Sequence, residues 1–307
     1  MARILILGGN GFIGRNLAVS LVNQGFDIVS ADRAISPKTL GIEQRIGNLA
    51  DASFVHSLFD SLPYDWVIHL ACSLIPSSGY DDFIRERELN ITGGFELART
   101  MLKSGSKKLI FFSTGGAIYG NNGLQINNEE APLFPMNYYA FSKLAMEQFI
   151  QLEARLSGLE YIIVRPSNPY GSGQNLFGRQ GLIAVTLGKI LSGEHPQVWG
   201  DGSVIRDYLH ISDLCSSINV LVNSNAMNEI INVGSGVGLS VNNVLQTIQH
   251  VTGNKLEIKY LPGRQVDVPV NVLDISKLQS ITNWKPKVEL EEGVSALWNE
   301  MLVSSAR

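Results

Sequence analysis

The chain has 307 residues, enough for one large α/β unit or two closely associated domains. Hydrophobic residues make up 45% and charged residues 17%, an ordinary composition able to fill a sizeable core. The net charge of -4 offers no basic surface for nucleic acid, and no stretch approaches the ~20 apolar residues of a membrane span.

Ile4-Leu5-Ile6-Leu7 is a short apolar run ending in glycines, so it reads as a buried strand rather than a signal peptide. Gly8-Gly9-Asn10-Gly11-Phe12-Ile13-Gly14 follows, and a helical pattern with Leu17, Leu21 and Val22 begins. Strand, glycine loop and helix in this order predict a dinucleotide site. The glycines permit a tight turn and close approach to a pyrophosphate, and the helix N-terminus supplies amides and positive dipole. Two spacings fit: Gly9, Gly11 and Gly14, or Gly8, Gly11 and Gly14.

A second strand over 27–31 ends at Asp32, where an acid accepts from the adenosine ribose hydroxyls and repels a 2′-phosphate, favouring NAD over NADP. Arg33 is the competing signal, because it would pair with such a phosphate. Short apolar strands recur at 66–71 and 108–113, separated by helical stretches. This alternation predicts an α/β fold with a doubly wound parallel Rossmann sheet and its ligand at the carboxyl ends of the strands. His69, inside an apolar strand, reads as a core histidine. Cys72 and Cys215 lie far apart in apolar settings, which suits a reduced, cytoplasmic protein, and no Cys/His cluster suggests a metal.

Tyr139 and Lys143 lie four residues apart in Tyr139-Ala140-Phe141-Ser142-Lys143, so on a helix they share one face. A free tyrosine has a pKa of about 10 and is a poor base near neutrality. A cation beside it favours the phenolate, and a shift of three units corresponds to roughly 4 kcal/mol. Such a pair makes a general acid/base able to take a proton from an alcohol as hydride leaves the same carbon. Alone, the pair would be a surface tyrosine beside a solvated lysine; the glycine loop and Asp32 give it a nicotinamide to work with.

These segments, with Asn90-Ile91-Thr92-Gly93, Ser113 to Gly120, Arg165 to Gly171, Trp199 to Ser203, Arg206-Asp207-Tyr208 and Asn232 to Gly236, resemble the extended short-chain dehydrogenase/reductase family, in its nucleotide-sugar epimerase and dehydratase branch. Arg264, Asp267-Val268 and Trp284-Lys285-Pro286 extend the resemblance across nearly the whole chain. It implies an NAD-binding Rossmann domain over 1–165, with 204–235 returning to it, and a smaller, discontinuous substrate-binding domain mainly over 166–307. It implies Tyr139 as acid/base, with Lys143 holding the nicotinamide ribose and lowering the tyrosine pKa. The implied cofactor set is Gly8, Gly11, Phe12, Ile13, Gly14, Asp32, Arg33, Asn48, Leu49, Leu70, Ala71, Asn90, Ser113 and Pro166, together with Tyr139 and Lys143.

Similar proteins carry a Ser or Thr five positions before the glycine of the Tyr119-Gly120 pair, to bind the sugar oxygen being oxidised. Here that position is Gly115, and Thr114 is the nearest substitute. Dehydratases of the branch place an acidic pair directly after that hydroxyl; glycines at 115 and 116 argue against a 4,6-dehydratase. Glu129 and Glu130 read as solvated loop residues. Asn168 matches a substrate position, and Arg206 and Arg264 are candidates to clamp a diphosphate, because guanidinium binds phosphate as a fixed fork. Asp267 and Asp274 read as loop-ordering residues.

The expected activity is NAD-dependent epimerisation, at C4, of a nucleotide-diphosphate sugar, a UDP-sugar above others, through a 4-keto intermediate. The rival is an NAD(P)H-dependent reductase of a nucleotide-4-ketosugar, for which Arg33 would matter. A non-catalytic dinucleotide sensor fits worse, because the tyrosine and lysine are both kept. The resemblance also implies a homodimer paired through two helices of each subunit.

Overall fold

The computed structural model describes residues 1–36, 41–61, 63–263 and 268–305. The chain opens with β1 (Arg3–Leu7), α1 (Phe12–Asn23), β2 (Asp27–Asp32), β3 (Glu43–Ile46), α2 (Ala52–Ser57) and β4 (Trp66–His69). A long helical stretch follows: α3 (Tyr80–Arg87), a π turn (Glu88–Thr92) and α4 (Gly93–Lys103). Then come β5 (Lys108–Phe112), β6 (Ile126–Asn127), α5 (Tyr138–Ser157), β7 (Glu160–Pro166) and β8 (Asn168–Tyr170). The remainder is α6 (Leu182–Leu191), β9 (Gln197–Trp199), β10 (Ile205–His210), α7 (Ile211–Val222), β11 (Glu229–Val233) and β12 (Gly238–Ser240). It closes with α8 (Val241–Thr252), β13 (Lys259–Leu261), β14 (Val270–Leu273), α9 (Ser276–Thr282) and α10 (Leu290–Ser305).

Contacts divide the chain into two compact units. The first comprises Met1–Ile118, Pro135–Arg165 and Cys215–Ile231. It is built on a seven-stranded sheet of order β11-β7-β5-β4-β1-β2-β3. The pairings of β1 with β2 and β4, of β2 with β3, of β4 with β5 and of β5 with β7 are parallel. Ile4 to Leu7 are fully buried, as a parallel strand covered on both faces requires. The order runs away from β1 in opposite directions through β2 and β4. The crevice of this doubly wound sheet therefore opens where Leu7 and His69, paired in register, end their strands. Leu97 and Met101 of α4 and Met146 and Ile150 of α5 pack against Leu5, Val67, Leu109 and Phe111 of the sheet.

Helix α5 carries the catalytic candidates. Asn137 caps it, its side chain accepting from the Ala140 amide at 2.8 Å. One helical stripe then reads Tyr139, Lys143, Glu147. Glu147 is fully buried and receives two bonds from Arg165 of β7: Nε to Oε1 at 3.0 Å and Nη2 to Oε2 at 2.7 Å. This bidentate pair pins the helix to the strand two turns beyond Tyr139.

The second unit comprises Tyr119–Phe134, Pro166–Leu214 and Asn232–Arg307. Its sheet runs β12-β10-β14-β6, with β8 also paired to β10, and β9 pairs with β13. Helix α6 packs Ile183 and Leu187 with Val244 and Ile248 of α8 and Val294 and Leu297 of α10. Two buried polar side chains organise its loops. Asp207 accepts from the Ser235 amide and hydroxyl at 2.8 and 2.7 Å, the Gly236 amide at 3.1 Å and the Leu273 amide at 3.4 Å. Asn232 accepts from the Tyr119 hydroxyl at 2.7 Å and donates to the Asn127 carbonyl at 2.9 Å.

One expectation is corrected here. Glu129 is not a solvated loop residue: its carboxylate accepts from the Asn232 amide at 2.8 Å, and partial burial pushes its pKa up. The sequence around it is polar and Asn-rich, so only the tertiary fold reveals the partner. Glu130 is exposed, as expected. Asp274 accepts from the Ser276 amide at 2.8 Å and orders its own turn, whereas Asp267 lies outside the described residues. Among the described residues no helix is long and apolar enough to cross a membrane.

Candidate active site

The crevice at the end of β1 is a cleft of about 190 Å³. Gly8, Gly11, Asp32, Arg33, Leu49, Leu70 and Ala71, all expected at a cofactor, line it, and Gly47, Phe54, Cys72 and Leu89 complete the wall. Scattered at 47, 54, 72 and 89, these last four share no local sequence pattern, and only the fold gathers them.

The cleft fits a dinucleotide on three grounds. Gly8 has a φ of +79°, and a Cβ there would lie 2.8 Å from the Ala71 nitrogen, so the loop lies flat against the next strand's end. A Cβ on Gly14 would collide with the Gly8 carbonyl oxygen, so the loop also lies directly on the helix. Helix α1 begins after Gly11 with no side-chain cap and no acidic residue in its first turn, leaving its amides and positive end for an anion. Phe12 and Ile13, its first residues, are half-buried. Asp32 is held by the Asn10 amide on Oδ2 at 2.9 Å and the Arg33 amide on Oδ1 at 2.7 Å. A carboxylate offers about four lone-pair sites, so both oxygens keep capacity for a pair of hydroxyls.

Asn48 stands apart: exposed, with its Oδ1 accepting from the Ala50 amide at 3.1 Å. Asn90 also turns from the cleft, bonding Ser73 and the Glu86 carbonyl. Pro166 is buried at the end of β7.

Ser113 follows β5, is 3% exposed, and its hydroxyl has no partner. Thr114, next in sequence and equally buried, hydrogen-bonds the Tyr139 phenol. Lys143 is 5% exposed; its ammonium donates to the Phe112 carbonyl at 2.8 Å and lies 4.9 Å from the Phe111 ring centre and 5.9 Å from that of Tyr139. Two of its three N–H groups remain for other acceptors. His69 is a buried core histidine, edge-on to Phe111, held neutral as burial and the Lys143 charge drive its pKa to about 3.

The sign of the tyrosine shift is the reverse of the expectation. Burial pushes the Tyr139 phenol up, the neighbouring Cys72 thiol adds to the rise, and the Thr114 hydrogen bond opposes it. The reason is placement. Lys143 is tied to the Phe112 carbonyl and lies 5.9 Å from the Tyr139 ring centre, while desolvation acts on the phenol directly.

The substrate candidates of the second unit are placed as follows. Asn168 donates to the Asp207 carbonyl at 2.8 Å. Arg206 is half-buried, and its Nη1 donates to the Ile205 and Val268 carbonyls at 2.8 and 2.6 Å. Arg264 lies outside the described residues. Among the described residues no group of three His, Cys, Asp or Glu side chains is arranged to hold a metal.

Residues 4–234 match the NAD dependent epimerase/dehydratase family. A protein of Methanocaldococcus jannaschii, provisionally named for UDP-glucose 4-epimerase, is 32% identical over 97% of this chain and 98% of its own. The dTDP-4-dehydro-6-deoxyglucose reductase of Escherichia coli is 28% identical over 95% of this chain and 96% of its own. The crystal structure of UDP-glucose 4-epimerase from Thermotoga maritima with UDP-glucose superposes with a TM-score of 0.94 at 30% identity, covering 99% of both chains. The chain belongs to the NAD dependent epimerase/dehydratase family.

Proposed function

We propose that the protein is an NAD-dependent 4-epimerase of a nucleotide-diphosphate sugar, a UDP-sugar above others. The observation that carries the reading is the grouping of half-buried Tyr139 with buried Thr114 and Lys143 on the first unit, which also holds the dinucleotide cleft. Asp32 holds the adenosine ribose, the first turn of α1 the pyrophosphate, and Lys143 a ribose hydroxyl through its remaining N–H groups. Bound NAD supplies a reversible acceptor for the C4 hydride and, when oxidised, a positive charge that favours the Tyr139 phenolate.

Tyr139 Oη takes the proton of the C4 hydroxyl as the carbonyl forms and returns it when hydride comes back to the opposite face of the 4-keto sugar. Thr114 Oγ1 relays that proton: it accepts from the C4 hydroxyl as it gives its own proton to the Tyr139 phenolate, with the reverse on return, standing in for the side chain that Gly115 lacks. Burial of the phenol keeps it protonated at rest, so the base is generated only in the loaded site. Asn168, Arg206 and Arg264 are assigned to the nucleotide-sugar, the arginines to its diphosphate.

We read the second unit as the substrate domain and the protein as a homodimer. Exposed Phe141, Leu152 and Leu156 along α5, beside the stacked pair Phe95 and Phe149, support pairing through α4 and α5. Free Cys72 and Cys215 suit a cytoplasmic protein.

Arg33 at the cleft beside Asp32 favours a second reading, a reductase with exchangeable NADPH. One experiment separates them: purified protein is incubated with UDP-, dTDP- and GDP-sugars and 4-ketosugars, with and without NADPH, and followed by proton NMR. Inversion at C4 without added reductant is the expected result. Net reduction that consumes NADPH overturns it.

A further inference from the structure

We propose that Ser73 is a positioning residue of the cofactor cleft: with Asn90 it clamps the wall formed by Leu70, Ala71 and Cys72 and thereby sets how tightly the dinucleotide is retained. The proposal rests on the dinucleotide reading of the cleft given above.

Asn90 is 7% exposed, and its amide group is spent on this contact. Its Oδ1 accepts from the Ser73 amide at 3.1 Å, and its Nδ2 donates to the Ser73 hydroxyl at 2.8 Å and to the Glu86 carbonyl at 2.8 Å. Ser73 is thus gripped at both backbone and side chain, and Asn90 is gripped by its own helix. Asn90 sits at the centre of the π turn Glu88–Thr92. A π turn inserts one residue into a helix and is frequent at functional sites. Here the inserted turn faces the segment that follows β4, and the helix beyond it is pressed onto its surroundings. A Cβ on Gly93 would come 2.5 Å from the Leu49 carbonyl oxygen, and one on Gly94 the same distance from the Met146 methyl. The helix is therefore a fixed wall from which Asn90 reaches out.

The segment it holds has little slack. Leu70 donates to the Leu7 carbonyl at 2.9 Å, which ties the wall to β1 at one end. Ser73 ties it to the π turn at the other. Between them Ala71 lies so near Gly8 that a single added carbon would come within 2.9 Å of its Cα. A displacement of Ala71 by a few tenths of an ångström therefore alters the contact on which the glycine loop rests. Hydrogen bonds from a rigid helix are what prevent that displacement, since the wall itself has no regular secondary structure.

The test uses the full-length protein loaded with NADH and chased with excess NAD, the loss of bound-NADH fluorescence giving the release rate. Ser73→Ala leaves the Asn90 Nδ2 facing a methyl group, while Ser73→Thr keeps the hydroxyl. The expected result is release about tenfold faster for Ser73→Ala, the scale of one buried hydrogen bond. Ser73→Thr should release at the wild-type rate, and turnover of Ser73→Ala at saturating cofactor should stay within about twofold of wild type. Wild-type release by Ser73→Ala overturns the clamp, whether or not its melting temperature falls, because the residue is then at most a structural support. A wild-type protein that binds no dinucleotide overturns the function proposed above and the clamp with it.

Discussion

The polar residues near the end of β1 and those around β10 use their hydrogen-bonding capacity differently. In the first group, bonding capacity is held in reserve. Asp32 uses two of about four acceptor sites, Lys143 gives the Phe112 carbonyl one of three protons, and the Ser113 hydroxyl has no partner. In the second group the capacity is consumed. Asp207 accepts four hydrogen bonds, and Asn232 joins Tyr119, Asn127 and Glu129 across more than a hundred residues of sequence. A buried group left open costs free energy unless a ligand completes it, whereas a saturated one stabilises the chain that made it. Side chains of the first kind should therefore be replaceable without unfolding, at the expense of chemistry. Side chains of the second kind should show the converse.

The sharpest way to break this contrast is Tyr139→Phe. It should lower turnover by roughly 10³-fold or more while bound NAD and the melting temperature stay near wild type, measured by progress curves and calorimetry. Retained turnover would remove the tyrosine from the mechanism.

Glu147 is the exception that sharpens the rule, since it shares a helical stripe with Tyr139 and Lys143 yet is saturated by Arg165. Glu147→Leu should cost about 3–5 kcal/mol in denaturant unfolding because it removes the carboxylate that neutralises a buried guanidinium. Adding Arg165→Met should recover much of that loss; an equally unstable double variant would count against the pairing as the cause.

On the second unit, Asn232→Ala should cost about 3 kcal/mol by removing the buried hydrogen bonds that Asn232 makes with the Tyr119 hydroxyl and the Asn127 carbonyl, with NAD retention unchanged. Thr114→Val comes next, with an expected loss of roughly 10²-fold in kcat at full stability. A loss of only a few-fold would transfer the relay to backbone or water.

The smallest effect concerns pH. The folded pKa of His69, about 3, lies below its ordinary 6.5, so the unfolded chain binds the proton first. The stability this contributes is present above pH 6.5 and is lost as pH falls toward 3. Between about pH 8 and pH 5 the wild type should lose about 2 kcal/mol that His69→Asn does not, read from urea melts at the two values.

Much of this was legible from the chain alone. Strand β1, the glycine loop, α1 and Asp32 are specified by residues within one supersecondary unit, where apolar runs, glycine spacing and helical period act locally. The stripe of Tyr139 and Lys143 follows from helical periodicity in the same way. The partners of Glu129, Asn90 and Arg165 were not legible, because each lies 17 or more residues away and no local pattern encodes it.

What the sequence by itself determined is which groups are present and which of them share a strand end or a helix face, since those depend on short-range geometry. What only the tertiary structure decided is the electrostatic state of those groups. The phenol of Tyr139 was expected to be lowered by a lysine one turn away. It is raised, because burial by segments distant in sequence outweighs every other influence on it, and Lys143 gives one of its N–H groups to the carbonyl of Phe112. Desolvation sums over everything packed nearby, and that sum exists only once the chain has folded.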